Sequence, residues 1–130
     1  MKAKYYFIAT LLITACVVVS FTMKTSNQVK HIVVFKFKAD ATPAQIKETT
    51  EFFKGLQKKI PGIVSFEHGV NSSPENLNQG YTHIYLLTFE NAAARDAYLP
   101  HPEHNKFGEL LTRLNVLDGK PFVVDFQAVE

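Results

Sequence analysis

The sequence predicts an α+β domain in which one four-stranded sheet carries helices on a single face, with the element order β-α-β-β-α-β. Three observations carry this. Val29 to Lys38 and Tyr81 to Glu90 alternate apolar and polar residues with period two. Ile63 to Val70 and Phe122 to Val129 read as two further strands. Capped segments of helical periodicity fill the gaps after the first and third of these strands. A chain of 130 residues is one domain's worth of material.

The first strand sets Val29, His31, Val33, Phe35 and Phe37 on one side and Lys30, Ile32, Val34, Lys36 and Lys38 on the other. Thr42-Pro43-Ala44-Gln45 then opens a helix, with threonine as the cap, proline at the first helical position and glutamine at the third. Its apolar face is Ile46, Thr49, Phe53, Leu56 and Ile60, and Pro61-Gly62 stops it before the second strand. Asn71 to Gly80 is the longest loop. In the third strand Tyr81, His83, Tyr85, Leu87 and Phe89 share a face. Asn91 caps a short helix ending near Leu99, Pro102 starts another that runs to about Leu114, and Asp118-Gly119-Lys120-Pro121 turns into the last strand. This order is the split β-α-β arrangement of ferredoxin-like folds. The helices cover one face only, which leaves Ile32, Val34, Ile84, Leu86, Val123 and one of Val64 or Phe66 on an open apolar face. Such a face implies a partner, and a homodimer with sheets face to face buries it.

Residues 29–130 form this domain, and residues 1–28 read differently. Lys2 and Lys4 precede an uncharged run from Phe7 to Met23, the layout of a secretory signal or an anchor. Ile13-Thr14-Ala15-Cys16 resembles a bacterial lipobox, which makes Cys16 the candidate lipidation site. The expectation is an exported, membrane-associated protein of the bacterial cell envelope, held by a lipid anchor or one N-terminal transmembrane segment. Thr25 to Gln28 is a short polar linker.

Composition excludes several functions. The formal charge is +2, from 14 Lys+Arg against 12 Asp+Glu, and three of those lysines flank the apolar run, so no basic field awaits nucleic acid. The one cysteine lies in the N-terminal run, so the domain has no disulfide, thiolate nucleophile or cysteine zinc site. There is no phosphate-cradling glycine loop and no Gly-x-Ser-x-Gly elbow. His101 and His104, with His31 and His83, are imidazoles a metal could use, but no patterned acid accompanies them except Glu103, and no metal site is assigned.

Four stretches together resemble a known family: Val29 to Lys38, Ser73-Pro74-Glu75-Asn76-Leu77 with Gly80-Tyr81-Thr82-His83, Thr88-Phe89-Glu90, and Tyr98-Leu99-Pro100-His101-Pro102-Glu103-His104. They are similar to the stress-response α/β-barrel (Dabb) domains, a family of dimeric α+β barrels. The resemblance implies a homodimer. The family's plant polyketide cyclases close a ring by an intramolecular aldol step without cofactor, using a tyrosine and a histidine that fall on Tyr98 and His104. Further pocket histidines fall on His31, His83 and His101. Where those cyclases place aromatic residues on the first helix, this chain has Thr49 and Thr50.

The residues themselves fit such a role. With His101 as cap, His104 falls three residues into its helix, and a neutral imidazole there can take a proton from an acidic C–H. Tyr98 can donate its O–H to a carbonyl as negative charge develops. His31 and His83, read as lying at one depth of neighbouring strands, line a small-molecule pocket with Val33, Phe35, Tyr85 and Phe53. The competing account makes these histidines satisfied core residues, bonded to each other or to Tyr81, in a stress-related structural or interaction module whose pocket Tyr85, Phe107 and Phe122 fill. A cofactor-free or haem-handling monooxygenase on the same superfold is a third possibility.

Overall fold

The computed structural model describes residues 27–129. Its elements are β1 (Val29–Phe35), α1 (Pro43–Lys59), β2 (Ile63–Val70), β3 (His83–Phe89), α2 (Ala92–Tyr98), α3 (Pro102–Leu114) and β4 (Phe122–Gln127). The strands form one antiparallel sheet in the order β2-β3-β1-β4, with the helices on one face: the ferredoxin-like α+β fold. Alternation in β1 becomes strict alternation of burial, with Val29, His31, Val33 and Phe35 inside. β1 is shorter than the alternation suggested, because beyond Phe35 the chain pairs with residues 116–118 instead, through Lys38 N–H to the Val116 carbonyl and Asp118 N–H to that of Lys36.

Local signals act as expected at the helix ends. Gln45 N–H donates to Thr42 Oγ1 at 3.3 Å, and Gln45 Oε1 accepts from the Thr42 N–H at 2.9 Å. Each bond satisfies a group that the first helical turn would otherwise leave unpaired. His101 caps α3, its Nδ1 accepting from the Glu103 N–H at 3.1 Å. Gly62, at φ +87°, turns α1 into β2 where a side chain would put its Cβ 2.6 Å from that of Ala94, so only glycine lets this turn pack against α2.

Between helices and sheet lies an aromatic core. Phe53 of α1 contacts Phe35, Phe66, Tyr85 and Phe107, with ring centroids between 4.4 and 6.2 Å apart, so α1, α3 and three strands meet on one side chain.

Register corrects two expectations. Val33 pairs with Val123, and directly opposed residues share a face, so Val123 belongs to the helix side. Of the alternatives Val64 and Phe66, Phe66, opposite Leu87 and against Phe53, faces the helices, and Val64 is 46% exposed. The open face is therefore Ile32, Val34, Ile84 and Leu86 with Phe122, Val124 and Phe126, the last three 51, 40 and 48% exposed. In addition, His31 pairs with Leu87 whereas His83 pairs with Phe35. The two histidines share a face but lie four residues apart along β1, roughly 13 Å at about 3.3 Å per residue.

The proposed signal, anchor and Cys16 lipidation site lie outside the described residues. No helix among the described residues is long and apolar enough to cross a membrane.

Candidate functional site

A cavity of about 620 Å³ opens between the helix-facing side of the sheet and helices α1 and α3. Its walls are largely apolar: Val33 and Phe35 from β1, Phe53 from α1, Phe107 and Leu111 from α3, and Val123 from the exposed edge strand. His31, Tyr98 and His104 converge at one end, and Asn105 and Glu109 of α3 add polar groups to the lining. A few convergent polar groups in an apolar hollow of this size is the usual construction of a small-molecule site.

The Pro100-His101-Pro102 segment brings Tyr98 and His104 together. Tyr98 ends α2, the chain breaks, and α3 restarts so that the two rings lie 4.2 Å apart between centroids, tilted by 36°. His104 Nδ1 lies 2.9 Å from the Leu99 carbonyl oxygen. A carbonyl only accepts, so Nδ1 carries the proton, and in the neutral ring Nε2 holds the lone pair. The Tyr98 hydroxyl is buried and has no hydrogen-bond partner among the described residues. Burial pushes its phenol well above the ordinary range, so the group is an O–H donor throughout physiological pH. A buried hydroxyl left unbonded costs free energy.

His31 completes the polar end, its ring 5.8 Å from that of Tyr98 in an edge-to-face arrangement. Its Nδ1 is 2.6 Å from Asp125 Oδ1, on the residue directly opposite in β4, and the other oxygen of Asp125 takes a short hydrogen bond from the Arg95 guanidinium. Burial lowers the proton affinity of His31, while the Asp125 hydrogen bond and charge offset part of that loss. Asp125 and Arg95 were not singled out from the sequence. For Asp125 the sequence offers one signal, an aspartate in the middle of an apolar strand, while its place on the helix-facing side follows only from the register with β1.

Of the other residues expected here, three stand apart from the cavity walls. His83 packs edge-on against Phe37 at 4.7 Å and bonds Thr82 Oγ1 through Nδ1 at 2.8 Å. Tyr85 is buried behind Phe35 and Phe53, its hydroxyl 2.8 Å from Thr50 Oγ1. His101 uses Nδ1 as the cap of α3. Neither His31 nor His83 bonds the other or Tyr81. The cavity is not filled from within: Tyr85 is turned to Thr50, and Phe122 lies on the opposite face of the sheet. Among the described residues no group of three or more His, Cys, Asp or Glu side chains is placed to hold a metal ion.

Comparison with known proteins gives a consistent result. Residues 29–128 match the family model described as the stress responsive A/B barrel domain. Over 102 residues the chain is 37% identical to the stress-response A/B barrel domain-containing protein HS1 of Arabidopsis thaliana, covering 75% of this chain and 94% of that protein. Over 82 residues it is 37% identical to olivetolic acid cyclase of Cannabis sativa, covering 63% and 81% respectively. Among solved structures it resembles a dimeric ferredoxin-like protein of unknown function from Jannaschia, at TM-score 0.65 and 32% identity, covering 78% of this chain and 99% of that one. The expected location in a bacterial cell envelope, with its signal peptide, lipoprotein and membrane attachment, is corrected by these findings. The curated relatives are plant proteins, and no described helix spans a membrane.

Proposed function

This chain belongs to the stress-responsive A/B barrel domain family, and we propose that it is a homodimer that binds small neutral carbonyl compounds in the cavity beside Tyr98 and converts them without a cofactor. One observation carries the reading: Tyr98, whose buried hydroxyl has no partner among the described residues, lines an apolar cavity of about 620 Å³ next to an imidazole whose acceptor nitrogen is Nε2. The likeness to a cyclase supports it. In the reaction, His104 Nε2 takes the proton from a carbon flanked by carbonyls. The carbanion adds to a further carbonyl of the same molecule, one not attached to that carbon, forming the carbon–carbon bond. Tyr98 delivers its proton to the oxygen that becomes negative, and the proton on the His104 imidazolium returns to the Tyr98 phenolate, restoring both groups. His31, held by Asp125, forms the polar wall beside them.

Tyr98→Phe tests the site. With no ligand present, the variant is expected to be more stable than the parent by about 1–3 kcal/mol in chemical denaturation, since the unbonded hydroxyl is gone and the ring is kept. A neutral diketone such as pentane-2,4-dione should raise the unfolding temperature of the parent and leave the variant's unmoved. A destabilised variant, or equal shifts in both proteins, would refute the assigned role.

The dimer rests on the open sheet face and on the Jannaschia relative, which is described as dimeric. Val34 sits at the centre of that face, opposite Ile84 on one side and Phe122 on the other. Val34→Glu places a carboxylate where two apolar sheets meet, so sedimentation should show a dimeric parent and a monomeric variant, with dimer dissociation strengthened by about 100-fold or more. A parent that sediments as a monomer at tens of micromolar would remove the dimer from the proposal.

A further inference from the structure

Asp125 faces two groups at once. One oxygen accepts from His31 Nδ1 at 2.6 Å, and the other accepts from the Arg95 guanidinium, whose Nε also donates to Asp96 Oδ1 at 2.8 Å. The arginine side chain is therefore fixed at two points, and it is only 23% exposed, unlike a freely solvated surface cation. Arg95 lies three residues before Tyr98, so the two share a face of α2, and the helix that supplies the phenol also supplies the guanidinium.

We propose that Arg95 is a positioning residue of the cavity: by holding one oxygen of Asp125 it keeps that carboxylate from acting as the private counter-ion of His31, so the ring stays neutral with its proton on Nδ1 and Nε2 available as an acceptor. The physical reason is charge sharing. A buried imidazole facing an unshared carboxylate gains a proton to form an ion pair, whereas a carboxylate already neutralised by a guanidinium offers much less to a second cation. The charged or titratable groups around His31 are few: Asp125 on β4, Arg95 and Tyr98 on α2, and His104 on α3. The residue opposite it on β3, Leu87, is apolar. Burial is the strongest influence against protonation of His31, and His104 and Arg95 act in the same direction. The consequence for recognition is specific. The cavity presents a donor at Tyr98 and an acceptor at His31, a pattern suited to a ligand that carries a hydroxyl or enol beside a carbonyl. The role assigned to Arg95 itself does not depend on any substrate.

Ring-nitrogen NMR of the full chain, labelled with 15N-histidine and assigned with His31→Gln, reads both proton position and titration. In the parent, the neutral His31 signal should be that of the Nδ1–H tautomer. In Arg95→Leu, and in Arg95→Gln as a polar second variant, the His31 midpoint should move up by about half a pH unit or more. Arg95→Lys, which keeps the charge, should stay within a few tenths of a unit of the parent. A midpoint in the neutral variants that is unchanged or lower, or a parent ring protonated on Nε2, overturns the proposal.

Discussion

His104→Gln is expected to lower cyclisation of a linear polyketone, one with a further carbonyl beyond the 1,3-dicarbonyl unit, by about 10²–10⁴-fold, the contribution of a positioned general base. Glutamine is the informative replacement because the imidazole has two separable functions. Through Nδ1–H it ties the start of α3 to the Leu99 carbonyl at 2.9 Å. An amide N–H can make that same link, so the break between α2 and α3 that seats Tyr98 is preserved. What glutamine lacks is a basic nitrogen in place of Nε2. The variant should therefore fold with stability within about 1 kcal/mol of the parent and bind pentane-2,4-dione, a probe that cannot cyclise, with similar affinity, while the chemical step on the polyketone slows. Steady-state kinetics with a parallel thermal-shift titration separates the two. If turnover survives intact, the base is elsewhere and His104 serves only as a helix-start residue.

Much of the architecture was legible in the sequence because local chemistry dictates it. Thr42-Pro43 and Gln45, Asn91, and His101-Pro102 mark the helix starts through groups that satisfy their own first turns. Alternation from Val29 to Phe35 fixed which side of β1 faces the helices, and so placed His31, Val33 and Phe35 beside the cavity. Alternation gives a face but not a depth. The separation of His31 from His83 depends on how β3 slides against β1, which loop lengths and packing decide. In β4 the run Phe122-Val123-Val124 is apolar at every position and carries no parity signal, so only its register with β1 shows that Val123 faces the helices and Phe122 and Val124 face away. Arg95 was invisible for another reason: an arginine on a short helix looks like any solvated surface cation until the opposing strand brings Asp125 to it.

Phe53→Ala should cost about 3–5 kcal/mol in chemical denaturation, near the upper end for removal of a buried ring. Phe53 is 1% exposed and stacks on Phe107 at 4.4 Å, while its other contacts reach Phe35, Phe66 and Tyr85. These rings come from α3 and three different strands, so no single element can move inward to fill the gap. Tyr85 is held by its hydrogen bond to Thr50, and Phe35 by its place in the central strand. The vacated volume would instead join the existing cavity, whose wall Phe53 already forms, and leave its neighbours without contacts on that side. For a domain of about 100 residues such a loss lowers the unfolding midpoint by roughly 12 °C or more. Phe52→Ala supplies the comparison: its half-buried ring stacks on Phe107 alone among the described aromatic residues, at 5.8 Å, so its removal should cost less than half as much. Equal losses from the two variants would mean that α1 is held by its general apolar face, whereas the expected difference identifies Phe53 as the point where helices and sheet are joined.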